Sequence, residues 1–192
     1  PGVTAVAVSN ASPMNEGQPN NAPFHIDGRP LGTGQSAPTM DVRIGSTVAV
    51  VGCGPIGLLV VQLARASGAT SVLAVEPLTH RRQAALDYGA DLALSPDEAA
   101  TYPGGFDVAF EVAGTDAAVD TAMQLVRPGA RVVLAGIPDD DRTSFSAALA
   151  RRKGLSLIMV RRMKDVYPRA IALVQRGLVD VESLVTARYI CS

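Results

Sequence analysis

Apolar and polar positions along this chain follow two periods that take turns. Thr47 to Val51 is too apolar for a half-exposed strand and predicts one buried on both faces, as a parallel α/β sheet demands. Ile56, Leu59, Val60, Leu63 and Ala64 then recur at helical spacing, so Pro55 to Ser67 reads as a helix with these residues on its buried stripe. Pro55 suits the first turn, where its missing N–H costs nothing, and Gly68 closes the helix. Further strands are predicted over Val72–Val75, Ala90–Leu94, Phe106–Glu111, Arg131–Ala135 and Leu155–Val160. Helices are predicted over Leu78–Tyr88, Asp116–Leu125 and Asp165–Arg176, with a short helix or turn at Pro96–Thr101, a turn at Arg127-Pro128-Gly129 and an amphipathic segment from Phe145 to Arg152. Such alternation implies an α/β fold: a doubly wound parallel six-stranded sheet in the order 3-2-1-4-5-6. Its ligand crevice should open between strands 1 and 4.

Residues 1–41 break the pattern. They are rich in Pro, Gly, Asn and Ser, and only Val3 to Val8 alternates like a strand. The segment reads as an irregular arm. His25 within it has no second ligand or base at a useful spacing and reads as a surface or packing histidine.

The first strand runs directly into Gly52, Cys53, Gly54, Pro55, Ile56 and Gly57, and the second ends on Glu76. These parts suit a dinucleotide. Gly52 permits the tight turn, Gly54 lets the backbone approach a pyrophosphate, and Gly57 lets the helix pack on the strand it has just left. The helix N-terminus offers free N–H groups and the positive end of its dipole. An acid at the tip of the second strand can accept a ribose 2′-hydroxyl and repels a 2′-phosphate, which favours NAD over NADP. A lone glycine triplet would be weak; with the strand before it, the helix after it and the acid about twenty residues on, it is specific. Arg81 and Arg82 could stack on adenine or answer a 2′-phosphate, or simply be solvated on a helix surface. By topology the ends of strands 4 and 5 also face the ligand. Their small residues (Val112, Ala113 and Gly114; Ala135, Gly136 and Ile137) allow backbone approach to the nicotinamide half, although turn chemistry alone would also explain them.

Composition narrows the classes. A chain of 192 residues with 47% hydrophobic residues and mean hydropathy +0.21 suits one globular domain with an appendage. With 18% charged residues and a net charge of −1, no basic surplus suggests nucleic acid. The apolar runs break well short of a membrane span, and no leader pattern argues for export. Two cysteines make no disulfide framework, so the expected compartment is the cytoplasm. A zinc site would have to recruit His25, His80, Cys53 and Cys191 together, with Cys53 inside the phosphate loop, so no intrinsic metal site is expected. Cys53 reads as a small filler of the turn. Ser46, Thr47 and Tyr102 have no base partner in sequence reach, and no constellation for nucleophilic catalysis is seen.

The motif VAVV-GCGPIG, then VLAVEP with an Arg five residues past the acid, FDVAFEVAG and LVRPGARVVLAGIP occur in this order. Together they resemble the medium-chain dehydrogenase/reductase family, and within it the zinc-type alcohol and polyol dehydrogenases. The stretch MVRRMKDVYPRAIALVQRGLVDVESLVTARY resembles the corresponding part of sorbitol and threonine dehydrogenases. The likeness runs over residues 42–190. It implies a Rossmann fold, pyrophosphate on the glycine loop, adenosine ribose on Glu76 and Arg81 beside it. It also implies nicotinamide contacts from Val112 to Gly114 and Ala135 to Ile137, and Arg162 near cofactor or substrate.

The family's zinc ligands and proton relay sit in a GroES-like domain whose motifs are not seen here. Residues 1–41 are therefore expected to be an irregular arm or a remnant of that domain, 42–185 the NAD-binding domain, and 186–192 the start of a return. On this reading the chain binds NAD without turning over an alcohol alone, and zinc belongs to a full-length relative. A second reading is a non-catalytic NAD-binding or dimerisation module, paired through the edge strand 155–160. A third, a methyltransferase, fits less well, because no acid precedes the glycines on strand 1.

Overall fold

The computed structural model describes residues 42–160 and 167–185. Among them β1 (Thr47–Val51), β2 (Ser71–Val75), β3 (Leu92–Leu94), β4 (Phe106–Glu111), β5 (Val126–Leu134) and β6 (Ser156–Met159) form one six-stranded sheet. Its order is β3-β2-β1-β4-β5-β6 and every neighbouring pair is parallel. The helices are α1 (Pro55–Ala66), α2 (Thr79–Asp87), α3 (Pro96–Ala100), α4 (Asp116–Leu125), α5 (Ala147–Lys153) and α6 (Tyr167–Gln175). This is the fold and strand order that the hydrophobic pattern implies. The arm expected over 1–41, the first two residues of the last predicted helix and the segment 186–192 lie outside the described residues.

Alternation within the strands explains why both faces are covered. Val48 and Val50 of β1 pack in one core with Val60, Val61 and Ala64 of α1 and Ala85 of α2. Ala49 and Val51 face the other core, built with Ala118, Val119, Ala122 and Met123 of α4. Period-two side chains thus feed two cores from one strand. Among the described residues, no helix is long and apolar enough to cross a membrane.

Three expectations need correction. The buried stripe of α1 includes Gly57, Leu58, Val60, Val61, Gln62 and Ala64, while Ile56 is 58% exposed. The helix is rotated from the predicted phase because Gly57, not Ile56, rests on the end of β1. The predicted turn at Arg127-Pro128-Gly129 lies inside β5: Phe106 pairs with Val126 and Val108 with Arg131, so the intervening residues bulge from the ladder. Pro128 has no N–H to give the ladder, which is why the interruption falls there. The fifth strand also ends at Leu134, one residue before the predicted Ala135.

Two polar clusters tie this frame together. Helix α4 passes into β5 through Val126 in extended conformation, without a left-handed capping residue. Its last carbonyls are met instead by Lys153 Nζ, which donates to Met123 O at 3.0 Å, Gln124 O at 2.6 Å and Val126 O at 2.7 Å. Burial holds the Lys153 ammonium below the usual lysine range. At the amino edge of the sheet, Asp107 accepts from Thr47 N at 2.9 Å, Thr47 Oγ1 at 3.0 Å and Arg127 Nε at 2.9 Å. Desolvation pushes the Asp107 carboxyl up. The Thr47 N–H, the Arg127 guanidinium and the Thr47 hydroxyl together outweigh it and hold the group below its ordinary value.

Replacing Lys153 by Met should lower stability by about 1–2 kcal/mol, the lower part of the range for lost charge-assisted hydrogen bonds because the ammonium is partly solvated. A urea titration reads this as a shifted midpoint with unchanged slope. The Asp107 carboxyl has its pKa depressed on folding, so its contribution is present above the unfolded value near about 4 and fades as pH falls through the folded one. Asp107→Asn should therefore be less stable than wild type at pH 7, and the gap should narrow on acidification below about pH 4. Equal pH slopes for the two proteins in urea titrations would contradict this.

Candidate cofactor site

The carboxyl ends of β1, β2, β4 and β5 meet around the glycine loop. Gly52 leaves β1 with φ +100°, and its N–H donates to Val75 O at 2.8 Å. A side chain there would meet Ala113 N at 2.9 Å, and one at Gly57 would collide with the carbonyl oxygen of Gly52. Only residues without Cβ let helix, turn and neighbouring loop approach this closely. Gly54 is the N-cap of α1 and faces open space. Because Gly54 has no side chain, nothing caps the first-turn N–H groups of Ile56 and Gly57, and Pro55 between them and the cap has none. An open space at an uncapped helix N-terminus is the shape and polarity that suits a phosphate.

Glu76 lies at the tip of β2 and is 3% exposed. One carboxylate oxygen accepts from Cys53 N at 2.8 Å and the other from Leu78 N at 3.1 Å. The acid thus joins the glycine loop to the turn before α2. Each oxygen retains a further lone pair. Arg82 pins the same turn, donating through Nη1 to Glu76 O at 2.8 Å and Pro77 O at 2.7 Å, and through Nη2 to Thr79 Oγ1 at 3.0 Å. The Arg81 side chain is exposed and forms no hydrogen bond or ion pair among the described residues, and its positive charge is felt at Cys53. Of the two arginines, Arg81 is therefore the one available to a ligand.

The strands on the other side of β1 end in two loops. Val112 N donates to Val51 O at 2.9 Å. Glu111, the last residue of β4 and 2% exposed, takes Ala113 N at 2.8 Å and Gly114 N at 2.6 Å on one carboxylate oxygen. Its main-chain oxygen takes Ala135 N at 2.8 Å and Gly136 N at 3.0 Å. A side chain on Gly114 would stand 2.6 Å from Ile137 O, and one on Gly136 would stand 2.6 Å from the second Glu111 oxygen. Ile137 itself is 71% exposed at this edge.

The structure therefore brings Gly52, Gly54, Pro55, Ile56, Gly57, Glu76, Arg81, Val112, Gly114, Ala135, Gly136 and Ile137 to one edge of the sheet. Arg162 and His25 lie outside the described residues. Thr47 and Phe106, on which Tyr102 stacks with ring centroids 6.0 Å apart, are at the opposite edge. Sequence reasoning did not single out Glu111 as a clamp. Its signal was an acid ending an apolar strand just before a glycine turn, the same signal that drew attention to Glu76.

Zinc finds no fit here. Among the described residues no three or more His, Cys, Asp or Glu side chains are grouped to hold a metal. Cys53 is buried, and desolvation, reinforced by the Glu76 charge and opposed by Arg81, pushes its thiol up to about 12.

Comparison with known proteins accords with this geometry. The family model described as zinc-binding dehydrogenase matches residues 55–176. Sorbitol dehydrogenase of Bacillus subtilis is 31% identical over 153 residues, which are 76% of this chain and 43% of that enzyme. A zinc-binding dehydrogenase of Sinorhizobium meliloti 1021, solved bound to NADP, superposes with a TM-score of 0.69 at 31% identity. That match covers 76% of this chain and 46% of the other. A short chain alcohol dehydrogenase of Escherichia coli CFT073, complexed with NADH, gives a TM-score of 0.63 at 25% identity, over 71% of this chain and 42% of its own. The chain thus spans less than half the length of these relatives. Since the matched segment makes up more than half of its residues, the chain belongs to the zinc-binding dehydrogenase family.

Proposed function

We propose that residues 42–185 form the NAD(H)-binding domain of a zinc-type alcohol or polyol dehydrogenase, which moves a hydride between NAD and an alcohol. The observation that carries this reading is the uncapped N-terminus of α1 opening on free space at Gly54, with Glu76 fixed beside it. Pyrophosphate lies on the glycine loop, adenosine ribose on Glu76 and Arg81, and the nicotinamide half against Val112 to Gly114 and Ala135 to Ile137. Arg162 serves cofactor or substrate. Glu76 favours NAD over NADP, since its carboxylate repels a 2′-phosphate. The alcohol, its proton relay and a catalytic zinc need groups that the described residues do not furnish. On this reading residues 1–41 are an arm or a remnant of the GroES-like domain, residues 186–192 begin the return to it, and the setting is cytoplasmic.

A homodimer is part of the proposal. β6 ends the strand order, its outer edge has no partner strand among the described residues, and Met159 there is 65% exposed. An unpaired edge with apolar side chains invites pairing with a second copy.

Titration should show NADH bound about tenfold or more tighter than NADPH, a gap of about 1.4 kcal/mol per decade, and Glu76→Gln should narrow that gap. No binding of either dinucleotide would refute the cofactor reading. Sedimentation equilibrium tests the edge: wild type should self-associate and Met159→Lys should shift it toward monomer, whereas a wild-type monomer at high concentration refutes pairing.

A further inference from the structure

The described residues include two buried carboxylates, and the cofactor reading uses only Glu76. Glu111 is as deeply buried, at 2% exposure, and ends a strand whose preceding residues Val108, Ala109 and Phe110 are apolar. Taking a carboxylate out of water is costly unless hydrogen bonds replace the lost hydration. Here they do, in an unusual concentration. One carboxylate oxygen accepts the N–H groups of Ala113 and Gly114, and the main-chain oxygen accepts those of Ala135 and Gly136. A single residue therefore saturates donors from both loops that follow β4 and β5.

The loops are also locked to each other through Glu111. Gly136 lies beneath its second carboxylate oxygen, and Gly114 lies against the carbonyl of Ile137, each at distances that leave no room for a Cβ. Val112 is tied back to Val51 at the end of β1, so the assembly is referenced to the strand that feeds the glycine loop. If the carboxylate were absent, the Ala113 and Gly114 N–H groups would lose their acceptor, and the 112–114 loop could move relative to 135–137.

We propose that Glu111 is a positioning residue for the nicotinamide half of the cofactor: it fixes the 112–114 and 135–137 loops as one platform, without itself touching the ligand. This rests on the dinucleotide reading above, and it makes a distinct prediction. The adenosine and pyrophosphate contacts lie on the glycine loop and Glu76, to which Glu111 makes no hydrogen bond; it reaches that loop only through the packing of Ala113 on Gly52. Loss of the clamp should penalise the nicotinamide end more than the adenosine end.

The test compares NADH with ADP-ribose, which lacks the nicotinamide, on the full chain. The chain contains no tryptophan, so nicotinamide emission can be followed without an indole background. Glu111→Ala should weaken NADH about tenfold or more while ADP-ribose changes by less than about threefold, as expected when buried donors lose their acceptor at one end of a site. The emission change of bound NADH should diminish in parallel. Glu111→Gln keeps an oxygen acceptor of the same reach and should restore NADH binding to within about threefold of wild type. If Glu111→Ala does not fold, Glu111→Asp, one methylene shorter, replaces it with the same expected bias against NADH. Equal weakening of both ligands, or none, overturns the proposal while leaving the cofactor reading intact. Wild-type protein that binds neither ligand overturns both.

Discussion

At the carboxyl edge of the sheet, main chain packs directly on main chain. The first turn of α1 lies on the carbonyl of Gly52, the turn after β1 lies on Ala113, and the loops after β4 and β5 lie on each other through Gly114 and Gly136. That closeness removes side chains from the place where many backbone donors converge. The donors must then be satisfied from the flanks. From the tip of β2, Glu76 reaches across to Cys53 after β1, while Glu111 at the tip of β4 closes its own loop on Ala113 and Gly114 and lies against Gly136 after β5. The order of strands and the two acids are parts of one solution.

This solution divides the local charge. Both carboxylates spend oxygens on N–H groups outside the first turn of α1, whose own N–H groups have no side-chain cap. The positive end of the helix is left for an anion, although two negative side chains lie nearby. The thiol of Cys53 illustrates the other side of the balance. Burial and the Glu76 charge keep it protonated, so the loop carries no competing anion or reactive sulfur at physiological pH.

Much of this was legible in the sequence, and the remainder was not for identifiable reasons. β1 and β4 were bounded correctly because their apolar runs end at sharp polar or glycine signals. The start of β5 was missed because Arg127-Pro128-Gly129 has the local chemistry of a turn. Whether the ladder resumes before it depends on Val126 meeting Phe106, a contact that local composition does not encode. The helical period of α1 was plain, but its phase was set by Gly57 against Gly52, and that turned Ile56 outward. Glu76 stood out as an acid at a strand tip. Its bond to Cys53, 23 positions away, and that of Lys153 to Met123, 30 positions away, follow from tertiary packing alone.

The two edges of the sheet have different chemistry, and this bears on the proposed division between binding and reaction. At the amino edge, Asp107, Thr47 and Arg127 satisfy one another in a closed cluster. At the carboxyl edge, backbone donors, small residues and the exposed Ile56 and Ile137 form a surface that can enclose a planar, partly apolar ligand while fixing its phosphates. Such a surface selects and orients. On the proposed reading, hydride transfer would also need a group to manage the alcohol proton beside the nicotinamide. On that reading the domain sets the cofactor's position through its main chain and leaves the substrate's identity to whatever covers that face.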